Sequence, residues 1–464
     1  MSKIIHGFLK LGKKIPFCFN QDNNILELLA TDNNGKNIIE IYIKKLKGKK
    51  IDIDGETLDK RYIRFFNVKI KTFDFKEFKA FIPAYLIGMN NNFEKVIKPT
   101  DVKEIIFFGE CITRVLPPKE SVKKNINYKK KIYSLTHFGD YDSHHSFEFE
   151  NKKYKFLPKI ILSKCDEDGK SKMEVTTCLF VSSDKKITFK GIIDTYKEVQ
   201  KLFSFLCYRS HVSFQNIILN QRVLVDYGNQ VREEIIKYKL FVAEEDREYD
   251  LPLCDNVLNI SEHMHNIPFL IKNLLMDDYI LSTMPINKND LIYVDTNKFL
   301  AMSTSFEALF LKKHKKYKSS KNKDYYLAKK KTLLYLKKQI DDEKNNRKMK
   351  KYFKSFYNEV MQLEGRLEEK LKFYYEKYEN ILKDDINRYK EYHNIDIITK
   401  ELLSQAFSSK RNVLSHGLKK IENFSLLEIL SYCLLRKIVY GMILENSNFE
   451  PDDIKMILDT MKIL

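Results

Sequence analysis

Long apolar runs are missing from this 464-residue chain. Its best stretch, Leu426 to Leu444, is broken by Glu428, Arg436 and Lys437, so it lacks the roughly 18 uninterrupted apolar residues that a membrane helix needs. Lys10, Lys13 and Lys14 interrupt the N-terminal segment and leave no apolar core of signal-peptide length. A soluble, cytoplasmic protein is expected. Cysteine is sparse and scattered. No two of Cys18, Cys111, Cys165, Cys178, Cys207, Cys254 and Cys433 stand within four positions, which excludes the common zinc-knuckle and zinc-ribbon spacings. Glycine-rich phosphate loops are absent too. Without a G-x-G-x-x-G or Walker pattern, the usual Rossmann and P-loop routes are closed, and no cofactor is expected. Arginine is scarce: 12 of the 82 basic residues are Arg and 70 are Lys, a skew that an AT-rich genome produces on solvated surfaces.

What is present describes a globular protein. Apolar residues make up 43% and aromatic residues 13%, which excludes a mostly disordered chain. At roughly 150 residues per domain, the length allows about two to three domains. Glycine and proline divide the chain. Eleven of the fourteen glycines lie at or before Gly228, and no proline occurs between Pro285 and Pro451. Many short elements joined by turns are therefore expected first, and long helices afterwards. Period-two alternation recurs in the first part: at Ile38–Ile43, at Phe66, Val68 and Ile70, at Phe147 and Phe149, and over Met173–Val181 and Ile187–Ile193. Asn33-Asn34-Gly35, Asp54-Gly55 and Asp168-Gly169 read as turns between strands. A sandwich or barrel-like sheet is the expected result, with a helix near Tyr196–Leu206.

Three-to-four-residue recurrence then marks Phe299–Lys316, Tyr325–Ile340, Lys351–Leu382, Ile395–Leu414 and Phe424–Leu444, joined by short loops as in an antiparallel bundle. The fold class expected is α+β. A β-rich sensing or targeting domain spans 1–235, a connecting segment 236–290, and an all-α bundle 291–464. The chain carries +19 formal charge, and Leu311–Lys350 alone holds 16 basic against 4 acidic residues. Lys312, Lys313, Lys315 and Lys316 open this segment as candidate RNA contacts, and a solvated loop is the alternative.

Few residues arrange themselves for chemistry. His137, Asp140, Asp142, His144 and His145 are metal-ligand types in close order, but adjacent His144 and His145 on a strand would point to opposite faces. His263 and His265 beside Glu262 form a weaker cluster, and Arg209-Ser210-His211 has no orienting acid nearby. No metal site is expected. The informative string is Arg411-Asn412-Val413-Leu414-Ser415-His416-Gly417, near the end of a helix with apolar helices on either side.

This R-N-x-x-x-H string resembles the R-x4-6-H motif of the HEPN superfamily of ribonucleases, and Phe306-Glu307-Ala308-Leu309 is similar to the first helix of such bundles. The layout, a β-rich domain ahead of one C-terminal bundle, resembles the ApeA-type anti-phage proteins. The resemblance implies a metal-independent endoribonuclease acting as an RNA-cleaving toxin in abortive infection, with Arg411, Asn412 and His416 catalytic. It implies RNA as substrate, with tRNA one candidate, a homodimer or higher homo-oligomer that brings two motifs together, and a phage-derived trigger. Lys410, Lys419 and Lys420 flank the motif as RNA contacts. Residue chemistry agrees: histidine moves protons near neutral pH, with an unperturbed pKa of about 6.5, and arginine's planar fork matches phosphate oxygens. On a regular helix Asn412 and His416 lie about 40° apart, whereas Arg411 is about 140° from His416. The alternatives are a non-catalytic RNA- or protein-binding module that dimerises through its bundle, and a HEPN-type partner of a nucleotidyltransferase.

Overall fold

The computed structural model describes residues 3–11, 13–29, 37, 51–74, 77–89, 101–118, 122–127, 132–137, 145–164, 171–226, 231–243, 257–277, 280–287, 290, 293–314, 323–342, 346–362, 366–416 and 423–461. They form two compact units. The first comprises 1–207, 211–251 and 257–268; the second comprises 208–210, 252–256 and 269–464. The first is β-rich and the second helical, which makes the class α+β.

Six strands of the first unit close into a ring: β1 (Ile4–Leu11), β2 (Lys13–Asn20), β3 (Ile25–Leu28), β4 (Ile51–Thr57), β5 (Tyr62–Asp74) and β6 (Glu77–Phe81), in the order β5-β4-β1-β2-β3-β6 with β6 pairing back onto β5. Alternate residues fill it, among them Leu9, Phe17, Phe19, Leu26, Ile53, Phe65 and Val68. Phe65 receives Phe17 and Phe19 edge-on, at 5.5 and 5.1 Å between centroids. Where β1 and β4 cross, a side chain at Gly7 would collide with the Glu56 carbonyl, so only glycine fits.

The strand β5 belongs to two sheets. Its first half pairs with β7 (Ala84–Gly88) as far as Phe66↔Ala84, and its second half pairs with β6 from Lys69↔Phe81. At the fork Asn67 takes φ 51°, and its N–H donates to Asp52 Oδ1 at 3.0 Å. This is a bulge: one extra residue enters β5 and reverses the facing of the residues after it. Hence Phe65 and Val68 share the barrel interior, and Phe66 does not join them, although plain alternation had set Phe66 beside Val68. Asp54-Gly55 is likewise no turn. It lies within β4, where Asp54 accepts the Tyr62 hydroxyl at 2.6 Å and Arg64 Nη1 at 3.0 Å.

From β7 an open antiparallel sheet continues through β15 (Val231–Val242), β14 (Asn216–Asp226), β8 (Asp101–Phe108), β13 (Ser171–Thr188) and β12 (Lys152–Lys164) to β11 (Ser146–Phe149). A separate hairpin pairs β9 (Val122–Asn127) with β10 (Ile132–His137). Helices α1 (Glu110–Val115) and α2 (Phe189–Leu206) pack on the sheet. The strand expected over Ile187–Ile193 ends at Thr188, because the Thr188 hydroxyl caps α2 by accepting the Gly191 N–H at 3.1 Å. Buried Glu198 on α2 takes Lys152 Nζ at 2.7 Å and the Tyr154 hydroxyl at 2.8 Å, which ties helix to sheet. Ile38–Ile43, Asn33-Asn34-Gly35 and Asp168-Gly169 lie outside the described residues.

The second unit contains α3 (Ile267–Met276, shared with the unit boundary), α4 (Thr296–Lys313), α5 (Lys323–Asp342), α6 (Arg347–Gln362), α7 (Leu367–Lys377), α8 (Glu379–His393), α9 (Lys400–His416), α10 (Leu426–Asn446) and α11 (Pro451–Thr460). The single helix expected over Lys351–Leu382 is three, α6, α7 and α8. The α7–α8 break falls at Tyr378, whose φ −100°, ψ 13° leaves the helical basin. Helix α10 is the hub, buried on all sides from Leu430 to Leu444. It starts with a capping box: Ser425 Oγ accepts the Glu428 N–H, and the Glu428 carboxylate accepts the Ser425 N–H. Its charged interior residues are hydrogen-bonded. Lys437 Nζ meets Asp385 Oδ2 of α8 at 2.7 Å with both side chains about 97% buried, and Arg436 Nη1 donates to the Asp290 carbonyl at 3.2 Å.

Candidate active site on helix α9

Helix α9 buries Leu403, Ser404, Phe407 and Lys410 along one stripe, the 3–4 spacing of a helix docked on a core. Phe407 stacks on Phe299 of α4 at 4.2 Å between centroids, and Phe299 in turn stacks against Phe424 and Tyr432. This aromatic pile fixes α9 against α4 and α10. One turn beyond Phe407, Arg411 emerges at the rim of the pile.

Arg411 is held without being enclosed. Its Nη2 donates to Glu307 Oε2 of α4 at 3.4 Å, and its Nη1 donates to Asn412 Oδ1 at 3.3 Å. The other Glu307 oxygen, Oε1, accepts Lys370 Nζ of α7 at 3.1 Å. Lys370 is buried, whereas the Arg411 side chain stays 35% exposed. Three helices thus meet through one carboxylate and two cations, a trio with a net charge of +1. A guanidinium has five N–H donors, and these two contacts leave others facing outward, where an anion could be met. Asn412 is exposed beside it. Helix α9 stays regular to His416, so Arg411 and His416 keep the five-residue separation of an unbroken helix; the His416 side chain, with Gly417, Lys419 and Lys420, lies outside the described residues.

The flanking lysines divide into two groups. Lys410 is only 8% exposed, with Nζ 3.3 Å from Glu428 Oε2, 3.3 Å from the Asn423 carbonyl and 4.8 Å from the Phe424 ring centroid. It joins α9 to the start of α10, with its ammonium engaged inside the bundle. Lys312 pairs with Asp277 at 3.0 Å and Lys313 with Glu445, so both are engaged within the bundle; Lys315 and Lys316 lie outside the described residues.

Sequence reasoning did not name Glu307 and Lys370 as site residues. Glu307 stands in the helix singled out by Phe306-Glu307-Ala308-Leu309, but nothing in the string shows that it reaches a residue 104 positions away. Lys370 carries no local signal at all.

A second polar cluster closes the far end of α4. Glu445 of α10 receives Lys313, Lys377 of α7 at 2.5 Å and the Tyr378 hydroxyl at 2.8 Å. Burial alone would raise the Glu445 carboxyl, but these donors outweigh it and hold it below the usual carboxylate range. The Tyr378 ring reaches Glu445 across Gly441, where a Cβ would stand 2.7 Å from its hydroxyl. His314 bonds the Tyr374 hydroxyl at 3.0 Å, and burial together with Lys313 and Lys377 lowers its pKa, against an opposing pull from Glu445.

Of the other clusters, His137 ends β10 and His145 precedes β11, while Asp140, Asp142 and His144 lie outside the described residues. His263 and Arg209 are buried, and Arg209 Nη1 donates to the Tyr208 carbonyl at 3.3 Å. Among the described residues no group of three or more His, Cys, Asp and Glu is arranged to hold a metal ion, and no helix is long and apolar enough to cross a membrane. No family model matches the chain, and no curated protein or solved structure matches it.

Proposed function

We propose that the chain is a metal-independent endoribonuclease of the HEPN type, an RNA-cleaving toxin of anti-phage defence, with Arg411 and His416 as its reacting pair and the β-rich unit as regulator or targeting domain. The observation that carries this reading is the state of Arg411. It is anchored by Glu307 and Asn412 on a rigid helix, yet keeps N–H donors exposed beside a cationic trio.

RNA supplies its own nucleophile. The 2′-oxygen attacks the adjacent phosphorus and gives its proton to a base, and the 5′-oxygen leaves with a proton from an acid. The products are a 2′,3′-cyclic phosphate and a 5′-hydroxyl. Imidazole can serve in either role near neutral pH. Arg411 would meet the phosphoryl oxygens as charge gathers on phosphorus, and Glu307, itself neutralised by Lys370, would keep the guanidinium aimed. Each chain has one His416 in the motif, so a base and an acid together call for two chains.

The test is cleavage of RNA by the purified protein in EDTA, with the ends identified. Wild type should yield the cyclic phosphate or its hydrolysed form. His416→Ala should lose about 10²–10⁴-fold in rate, and Arg411→Ala about 10²–10³-fold, both remaining folded. A 5′-phosphate product, or full activity in either variant, would overturn the proposal.

A further inference from the structure

Helices α5 and α6 pack along one another as an antiparallel pair. Lys329 Nζ near the start of α5 donates to the Met361 carbonyl near the end of α6 at 2.9 Å. Buried Leu336, with half-buried Leu333 and Ile340 of α5 and Phe353, Tyr357 and Val360 of α6, makes the seam. The pair is strongly basic: residues 323–362 carry 12 basic against 5 acidic side chains.

Three large rings stay outside this seam. Tyr335 is 60% exposed, Tyr352 50% and Phe356 51%. At about 100° per residue, each ring belongs to a stripe that also carries lysine. On α5, Lys331, Tyr335 and Lys338 follow at four- and three-residue steps, so one cation stands a turn before the ring and another a turn after it. On α6, Lys348, Tyr352 and Phe356 follow at four-residue steps. All three lysines are exposed, and among the described residues no ion pair engages them. Asp324 and Asp342 share the α5 stripe only at its two ends. Both stripes turn from the seam in the same sense, which in an antiparallel pair sets them on one side.

We infer that this side of α5 and α6 is a platform for single-stranded RNA, with bases laid on Tyr335, Tyr352 and Phe356 and phosphates met by Lys331, Lys338 and Lys348. The choice of RNA rests on the ribonuclease reading. The platform adds to that reading a second grip, on helices other than the one that carries Arg411 and His416, and a substrate class, unpaired RNA. Interleaving selects this occupant. A single strand presents flat base faces with a phosphate between each and the next, and rings alternating with cations about 5.4 Å apart along a helix answer both. A duplex hides its base faces and could use the lysines alone. A helix that lies on a membrane separates rings and cations onto opposite faces, whereas here they share one. A second copy would bring like charges together.

Fluorescence anisotropy of the full chain with an unstructured 2′-O-methyl RNA of about 12 nucleotides tests it. A methylated 2′-oxygen cannot attack phosphorus, so the probe reports binding apart from cleavage. Wild type should bind the single strand more tightly than the same sequence in a duplex. Tyr352→Ser/Phe356→Ser should weaken binding about tenfold or more while leaving its salt dependence unchanged, because stacking releases no counterions. Tyr335→Ser alone, expected to cost about fivefold, replaces the double variant should that one lose its helical circular dichroism. Lys331→Ser/Lys338→Ser/Lys348→Ser should instead flatten the slope of log affinity against log salt by up to about 2. Folded ring variants that bind like wild type would overturn the inference. So would a wild type that prefers the duplex, or one that binds phosphatidylserine vesicles and not the RNA. A wild type that holds the single strand through its rings yet leaves ordinary RNA uncut would refute the cleavage reading and uphold the platform.

Discussion

One carboxylate organises the candidate site at the scale of single residues. Glu307 bonds both Arg411 and Lys370, so its substitution separates aim from charge. Glu307→Gln keeps the shape but leaves one acceptor oxygen for two cations, and raises the local charge from +1 to +2. Steady-state cleavage should show a lower KM for RNA together with a lower kcat, because the phosphate gains attraction while Arg411 loses its anchor. A raised KM with unchanged kcat would contradict this role. His314 supplies a pH signature. Its folded pKa lies below the usual value, so the unfolded chain binds that proton more tightly and stability rises with pH. The stability from neutral His314 is present above about pH 6.5 and is lost as pH falls below it. His314→Gln should therefore flatten the slope of Tm between about pH 7 and 5.5; an unchanged slope would show that His314 does not set it. Glu445, with its carboxyl held low, contributes stability that persists to more acid pH and is lost only as that carboxyl takes up a proton. At this scale the sequence named Arg411, Asn412 and His416 because they sit in one string. It could not name Lys370, which enters the site only through packing.

Among the elements, α10 carries the ion pair of Lys437 with Asp385 inside an otherwise apolar core. Asp385→Leu would strand the Lys437 ammonium in the core, and breaking such a pair costs about 3–5 kcal/mol. Adding Lys437→Met removes the orphaned charge and should restore most of that loss, as read by urea denaturation. A double variant no more stable than the single would show that the pair does more than cancel itself. The same interior charges excluded a membrane span at the sequence level, and the structure shows how a buried helix accommodates them. Element boundaries were less legible. The Asp54-Gly55 pair reads as a turn, yet lies in a strand where Asp54 answers Tyr62 and Arg64. The alternation at Phe66 and Val68 fails because the Asn67 bulge inserts a residue, a feature set by the fork between two sheets. Helices α7 and α8 read as one because apolar recurrence runs on through Tyr378, where only the backbone angle records the break.

For the whole molecule, glycine and proline usage was the reliable guide, because each acts on the backbone directly: a β-rich unit precedes a helical one. Barrel closure was not legible, since it depends on β6 returning to β5. The basic helices α5 and α6 add a prediction at this scale. If exposed Lys330, Lys337, Arg347 and Lys354 gather RNA, each phosphate neutralised on a single strand should contribute about −0.7 to the slope of log affinity against log salt. Charge reversal at these four positions should flatten that slope while changing the cleavage rate at saturating RNA far less. An identical slope would leave the lysines as solvated surface. The central claim is that Arg411 and His416 break RNA, and end-mapped cleavage in EDTA by wild type, Arg411→Ala and His416→Ala tests it most directly. Wild type should give 2′,3′-cyclic phosphate and 5′-hydroxyl ends, with a loss of about a hundredfold or more in each folded variant. Undiminished cleavage by either variant, or 5′-phosphate ends from wild type, would contradict it.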